Sequence, residues 1–196
     1  APGGAPVTGG RVHDLAPGVL ERVASTQHPQ PNLAIVAMPP GGGPSALPDD
    51  GLIVVADRLA DPGNLGTILR SAEAAGVGAV VLTPGSVDPY NSKVVRASAG
   101  AVFHVPVVTA TLGEVAAAGF RRLGTSSHEG TPHTAADWSG AVAIVLGNEA
   151  HGLPDDAADQ GLIDAWVRID HHGRAESLNV AMAATLLVFE AARQRM

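Results

Sequence analysis

The sequence predicts an α/β domain: a mainly parallel sheet with helices on both faces. Three observations carry that expectation. The apolar runs Leu52–Ala56, Ala79–Leu82, Val102–Val108 and Ala141–Leu146 lack polar alternation, as strands covered on both faces do. Helical stretches at Leu65–Ala75, Asn91–Ser98 and Leu112–Ala118 separate them, and strands alternating with helices build parallel sheets. A further strand at Ala165–Ile169 precedes a long closing helix, Asn179–Arg195, with apolar side chains on most of its faces. With 196 residues, 45% of them hydrophobic, the chain can bury a real core.

The N-terminal quarter has a different character. Ala1–Gly10 and Pro39–Pro48, the latter holding Gly41-Gly42-Gly43-Pro44, are rich in Pro and Gly. Such stretches resist helix and ladder bonding and mark tails or linkers. Between them a strand at Arg11–Leu15, a helix at Gly18–Thr26 and a strand at Asn32–Ala37 are expected. One such unit is too small to bury its own faces. Residues 1–38 therefore read as a piece of a larger domain or an extension packed on the main domain. Residues 39–50 read as a linker, and 51–196 as that main domain. The first residue is Ala, which points to truncation or processing.

Composition excludes several function classes. Twelve basic against nineteen acidic residues give a formal net charge of -7, so no smooth basic coat exists for nucleic acid. The absence of cysteine removes disulfides, a thiol nucleophile and Cys-based metal sites. No apolar run reaches the roughly 18 residues of a membrane span, and no signal segment opens the chain; a soluble, cytoplasmic protein is expected. Charge is uneven. Residues 113–170 carry three arginines against nine acids, and 171–196 carry Arg174, Arg193 and Arg195 against Glu176 and Glu190. An anionic partner would meet the early helices and the C-terminal segment, with the middle segment facing solvent.

Familiar nucleotide motifs are missing. Gly76-Val77-Gly78 stops short of a dinucleotide fingerprint because Val81 stands at the third glycine, and the single lysine, Lys93, follows Ser92 rather than a glycine. Neither G-x-S-x-G nor H-E-x-x-H occurs. His151, His171 and His172 read as solvated loop residues, and no metal is expected.

Three polar loops remain, each placed where a parallel sheet binds ligands. Asp57–Ala72 turns through Asp61-Pro62-Gly63 into a helix, with Asn64 expected as its N-cap and Arg70 two turns on, close to the same helix face. Ile144–Leu153 ends a strand at Gly147, then offers Asn148 and Glu149. Val167–Ala183 leads through Gly173 to Ser177-Leu178-Asn179 at a helix start, where Ser177 or Asn179 would cap.

Together, Asp61-Pro62-x-Asn64-x-Gly66-x-x-x-Arg70, Leu146-Gly147-Asn148-Glu149-x-x-Gly152-Leu153 and Glu176-Ser177-Leu178-Asn179-Val180 resemble the three motifs of the SpoU (TrmH-like) branch of the SPOUT RNA methyltransferases. Asp88–Gly100 is similar to that family's connecting segment. The resemblance covers about 145 residues from Gly51 onward. It implies a C-terminal segment threaded as a deep trefoil knot, S-adenosylmethionine in the knot loops, and a homodimer that completes the active site. The implied reaction is methyl transfer to a ribose 2′-hydroxyl, in rRNA before tRNA. Residues 1–38 then look like the trailing part of an L30e-like RNA-binding domain. By the same resemblance Asn64, Arg70, Glu149, Ser177 and Asn179 are catalytic, and Arg70, Lys93 and Arg96 meet RNA. Thr83, Pro84, Gly85, Leu146, Gly147, Ile169 and Leu178 hold the methyl donor. Guanidinium keeps its proton too tightly to act as a base, so Arg70 suits phosphate binding and stabilisation of alkoxide charge. Ile169 is followed by Asp170-His171 where the family commonly has Pro-Met. Two alternatives are a knot-fold RNA-binding or assembly protein without transfer activity, and a base methyltransferase; the motif residues present disfavour both.

Overall fold

The computed structural model describes residues 10–24, 29, 31–39, 41–154 and 157–196, in two compact units, 1–39 and 40–196. In the first, the described residues form one helix, α1 (Val19–Val23), which follows the left-handed Gly18. Arg11–Leu15 and Asn32–Ala37 are not strands. A strand needs a ladder partner, and these segments are exposed, Ile35 to 98%. Thr26, at the end of the expected helix, lies outside the described residues.

The second unit is built on seven parallel strands: β1 (Leu52–Ala56), β2 (Ala79–Leu82), β3 (Val107–Thr109), β4 (Arg121–Ser126), β5 (Thr131–Pro132), β6 (Val142–Leu146) and β7 (Ala165–Arg168). Their order is β3-β2-β1-β6-β4-β7-β5. The apolar central strands are buried throughout, and alternate residues feed opposite cores. Leu52, Val54 and Ala56 of β1, with Ile144 and Leu146 of β6, meet α2 (Pro62–Ala74) and α5 (Val180–Gln194). Ile53, Val55, Ala143 and Val145 face Val115 of α4 (Leu112–Ala117), Phe120 and Ile163. α3 (Ser92–Ala97) lies against α2. Gly66 makes that approach possible, since a Cβ there would stand 2.4 Å from the Ala97 Cβ.

Three expectations need correction. Val102–Val108 is not one strand: a 3-10 turn, Ala101–Phe103, precedes the short β3. The middle segment does not simply face solvent, because β4 sits inside the sheet between β6 and β7. Its arginines are neutralised rather than exposed to a partner: Arg122 is buried and forks onto Asp164 at 2.8 and 3.0 Å. The Pro/Gly stretch before β1 also joins the sheet, the Thr109 N–H donating to the Gly42 carbonyl at 2.8 Å.

Candidate active site

The strand order decides which loops meet. The carboxyl ends of β4, β6 and β7 lie side by side, and the start of α5 closes over them. They enclose a cavity of about 440 Å³. Of the expected donor-binding residues, Leu146, Gly147, Ile169 and Leu178 line it. Thr83, Pro84 and Gly85 do not. They follow β2, which lies on the far side of β1 from β6, and the Thr83 hydroxyl is engaged there with Asp57 Oδ1 at 2.8 Å. Their place is taken by Thr125, Ser126 and Ser127 after β4. The small polar run Gly124-Thr125-Ser126-Ser127 is the available signal, masked by the paired arginines that open the strand.

Gly147 serves its own loop first. A Cβ there would meet the Gly152 carbonyl carbon at 2.3 Å and the Leu153 nitrogen at 2.4 Å, where residues 148 and 152 exchange backbone bonds of 3.1 and 2.8 Å. Asn148 then locks this turn to the first loop, donating from Nδ2 to the Arg58 carbonyl at 2.8 Å and accepting from Ala150 N at 3.0 Å.

Glu149 is the centre of a relay that joins all three loops. Its carboxylate accepts from Ala60 N at 3.1 Å, Asp61 N at 2.9 Å and Asn64 Nδ2 at 3.1 Å. Partial burial pushes this carboxyl up, but the backbone N–H groups of Asp61, Ala60 and Glu149 itself and the Asn64 amide outweigh it. The group is held below the ordinary carboxylate range. Asn64 Oδ1 in turn accepts from Asn179 Nδ2 at 3.0 Å, while Asn179 Oδ1 caps α5 through Ala181 N and Met182 N. Ser177 lines the cavity without capping the helix.

Asn64 is free for this role because it is not the N-cap of α2. Asp61 is, accepting from Asn64 N at 2.8 Å; Pro62 at the first helical position, with its φ already set, moves the start forward. Arg70 is not brought to the cavity. Six residues beyond Asn64, it lies about 240° round the helix, and it is exposed. Lys93 and Arg96 are exposed on α3. Asp170, at the departure from the family pattern, is tied to Arg168 Nε at 2.8 Å. A second, open hollow of about 720 Å³ shares Asn64, Asn148, Glu149 and Asn179 with the first and adds Ala60, Asp61 and Pro62. The relay is thus the common wall of two cavities.

A parallel sheet with a cavity ringed by loops at its carboxyl edge defines an α/β domain that binds a small ligand there. Residues 51–189 match the SpoU rRNA Methylase family, and the chain belongs to that family. It is 37% identical over 186 residues to the 23S rRNA (guanosine(2553)-2'-O)-methyltransferase of Bacillus subtilis, covering 93% of this chain and 73% of that one. It is 34% identical over 193 residues to the 23S rRNA (uridine(2479)-2'-O)-methyltransferase of Streptomyces viridochromogenes, covering 92% and 67%. Among solved structures it resembles the AdoMet-bound rRNA methyltransferase from Sinorhizobium meliloti, with a TM-score of 0.68 and 35% identity over 74% of this chain. The SpoU methyltransferase AviRb from Streptomyces viridochromogenes, in complex with AdoMet, gives 0.67 and 37% over 76%. This chain spans 57% and 62% of those two solved chains.

Proposed function

We infer that this chain is an S-adenosylmethionine-dependent methyltransferase acting on a ribose 2′-hydroxyl of RNA, in rRNA rather than tRNA. The observation that carries the reading is the relay of Asn64, Glu149 and Asn179 between two cavities, in a chain whose relatives are 23S rRNA 2'-O-methyltransferases. The first cavity fits the donor in size. Leu146, Gly147, Leu178 and Ile169 line it, and in this reading their backbone groups hold the adenine edge while Ile169 excludes water. When bound, the donor supplies a methyl group on a sulfonium, an electrophile that needs no Lewis acid, so no metal enters the proposal. Glu149, ionised and saturated with donors, holds the loops together rather than taking a proton. Ser177 is the rim hydroxyl left to orient the ribose, and Arg70 the guanidinium left for phosphate and developing alkoxide charge.

The test is transfer of label from S-[methyl-³H]adenosylmethionine to protein-free 23S rRNA. Label is expected in alkali-resistant dinucleotides, because a 2′-O-methyl group blocks cleavage of the next phosphodiester. Donor binding without transfer would leave an RNA-binding or assembly role, and label in alkali-released mononucleotides would mean base methylation.

The finer reading follows the family. The C-terminal segment threads a trefoil knot, a proposal supported by the insertion of β7 between β4 and β5 before α5 packs back on α2. Residues 1–38 are the trailing part of an L30e-like RNA-binding domain and 51–196 the catalytic domain, whose sheet the stretch before β1 joins at Gly42. Two copies pair in the cytoplasm through α5, whose Met182, Leu186 and Phe189 form a stripe 62, 45 and 47% exposed. That pairing would bring Arg70 to the partner's site, and a stable monomer by light scattering would overturn it.

A further inference from the structure

We propose that the exposed face of α2 and α3, with the 3-10 turn after them, docks a single-stranded stretch of substrate RNA, Phe103 stacking on one of its bases. The proposal rests on the RNA-directed function inferred for the chain. Its first support is the distribution of free charge. Arg121, Arg122, Arg168 and Arg193 are each paired with a carboxylate. Arg70, Lys93 and Arg96 have no acidic partner among the described residues, and all three are exposed on these two adjoining helices. Arg11, Arg22, Arg174 and Arg195 also lack a carboxylate partner among the described residues, but on a chain of net charge -7 three exposed cations on two packed helices match a phosphate backbone.

The second support is the turn itself. Ala101 and Val102 are buried at 1 and 2%, yet the adjacent Phe103 is 44% exposed. The chain enters this turn through two successive left-handed residues, Ala99 at φ 50° and Gly100 at φ 98°, a conformation that alanine adopts only at a cost. The turn is then fastened to α2, His104 Nδ1 meeting Glu73 Oε1 at 2.5 Å. Glu73 lies one helical turn beyond Arg70, so the phenyl ring's turn is anchored on the same stripe of α2 as the arginine. Exposed cations together with an exposed aromatic ring can hold unpaired nucleotides: charge takes the backbone, and the ring takes a base of any identity.

The test uses the full chain and two fluorescein-labelled ten-nucleotide probes, oligoadenylate and an abasic ribose-phosphate oligomer of equal charge. By anisotropy the parent is expected to prefer the base-bearing probe by about tenfold or more. Phe103→Ala and Phe103→Leu should lose that preference, and Phe103→Trp should keep it. Lys93→Ala should weaken both probes alike and flatten the salt dependence. Equal binding of both probes by the parent, or full preference retained by Phe103→Leu, would overturn the proposal. So would conversion of a dimer to a monomer by Phe103→Ala, which would make the face an interface between copies. Label transfer to 23S rRNA is measured beside these. Transfer without probe preference sinks the docking surface alone, and preference without transfer sinks the enzymatic reading alone.

Discussion

Asn64, Glu149 and Asn179 bond to one another, whereas Arg70 and Ser177 make no side-chain bond among the described residues. All five belong to the same three motifs, yet they divide into residues that build the wall between the cavities and residues left over for a substrate. The difference teaches that a motif residue is not thereby a reacting group. Polar side chains that satisfy each other hold loops in register, while an unpaired guanidinium is available for chemistry.

The substitutions that test this division differ in what they change. Gly147→Val should have the largest effect, since the new side chain collides with backbone that cannot move. Stability falls by about 3 kcal/mol or more, and calorimetry should find no donor binding. Arg70→Ala should lower the rate of methyl transfer by about 10²–10³ with melting temperature and donor affinity unchanged. Arg70→Lys should recover little, because a point charge lacks the bidentate fork. An equal loss of donor affinity in Arg70→Ala and Gly147→Val would erase the distinction between wall and chemistry.

Glu149→Gln should cost about 2 kcal/mol of stability, because an amide cannot accept at both oxygens from Ala60, Asp61 and Asn64. The carboxyl of Glu149 is depressed in the folded chain. Its contribution is therefore fully present above the unfolded value of 4.5 and is lost as pH falls through the lower folded value. Denaturant titrations of parent and Glu149→Gln should converge below that point; a constant gap would remove the charge from the explanation. Asn179→Ala, the mildest change, should cost about 1 kcal/mol for the lost cap and loosen Asn64 without abolishing donor binding.

What the sequence discloses depends on burial. β1 and β2 are legible to the residue because both their faces are covered and nothing polar interrupts them. β4 is not, since Arg122 enters the sheet paired to a carboxylate 42 residues away, and Gly124 is packed under the Trp166 ring. Conversely, Asn32–Ala37 has strand composition but no ladder partner among the described residues. The three loops can be recognised by their residues, but which strand ends adjoin β6 is a property of topology. For that reason the resemblance assigns Thr83–Gly85 to the donor and passes over Thr125–Ser127, which line the cavity. The helical repeat alone sets Arg70 about 240° round α2 from Asn64, off the shared face that counting two turns suggests.

Asn179 has a consequence for the timing of assembly. One amide both starts α5 and bonds to the first loop, 115 residues back in the chain. During synthesis the first two loops emerge, and can fold against each other, well before their third member exists. The wall between the cavities is complete only once α5 has docked, so a chain stalled before that helix carries the first two motifs without a finished pocket. Docking of α5 is itself the step that creates the site.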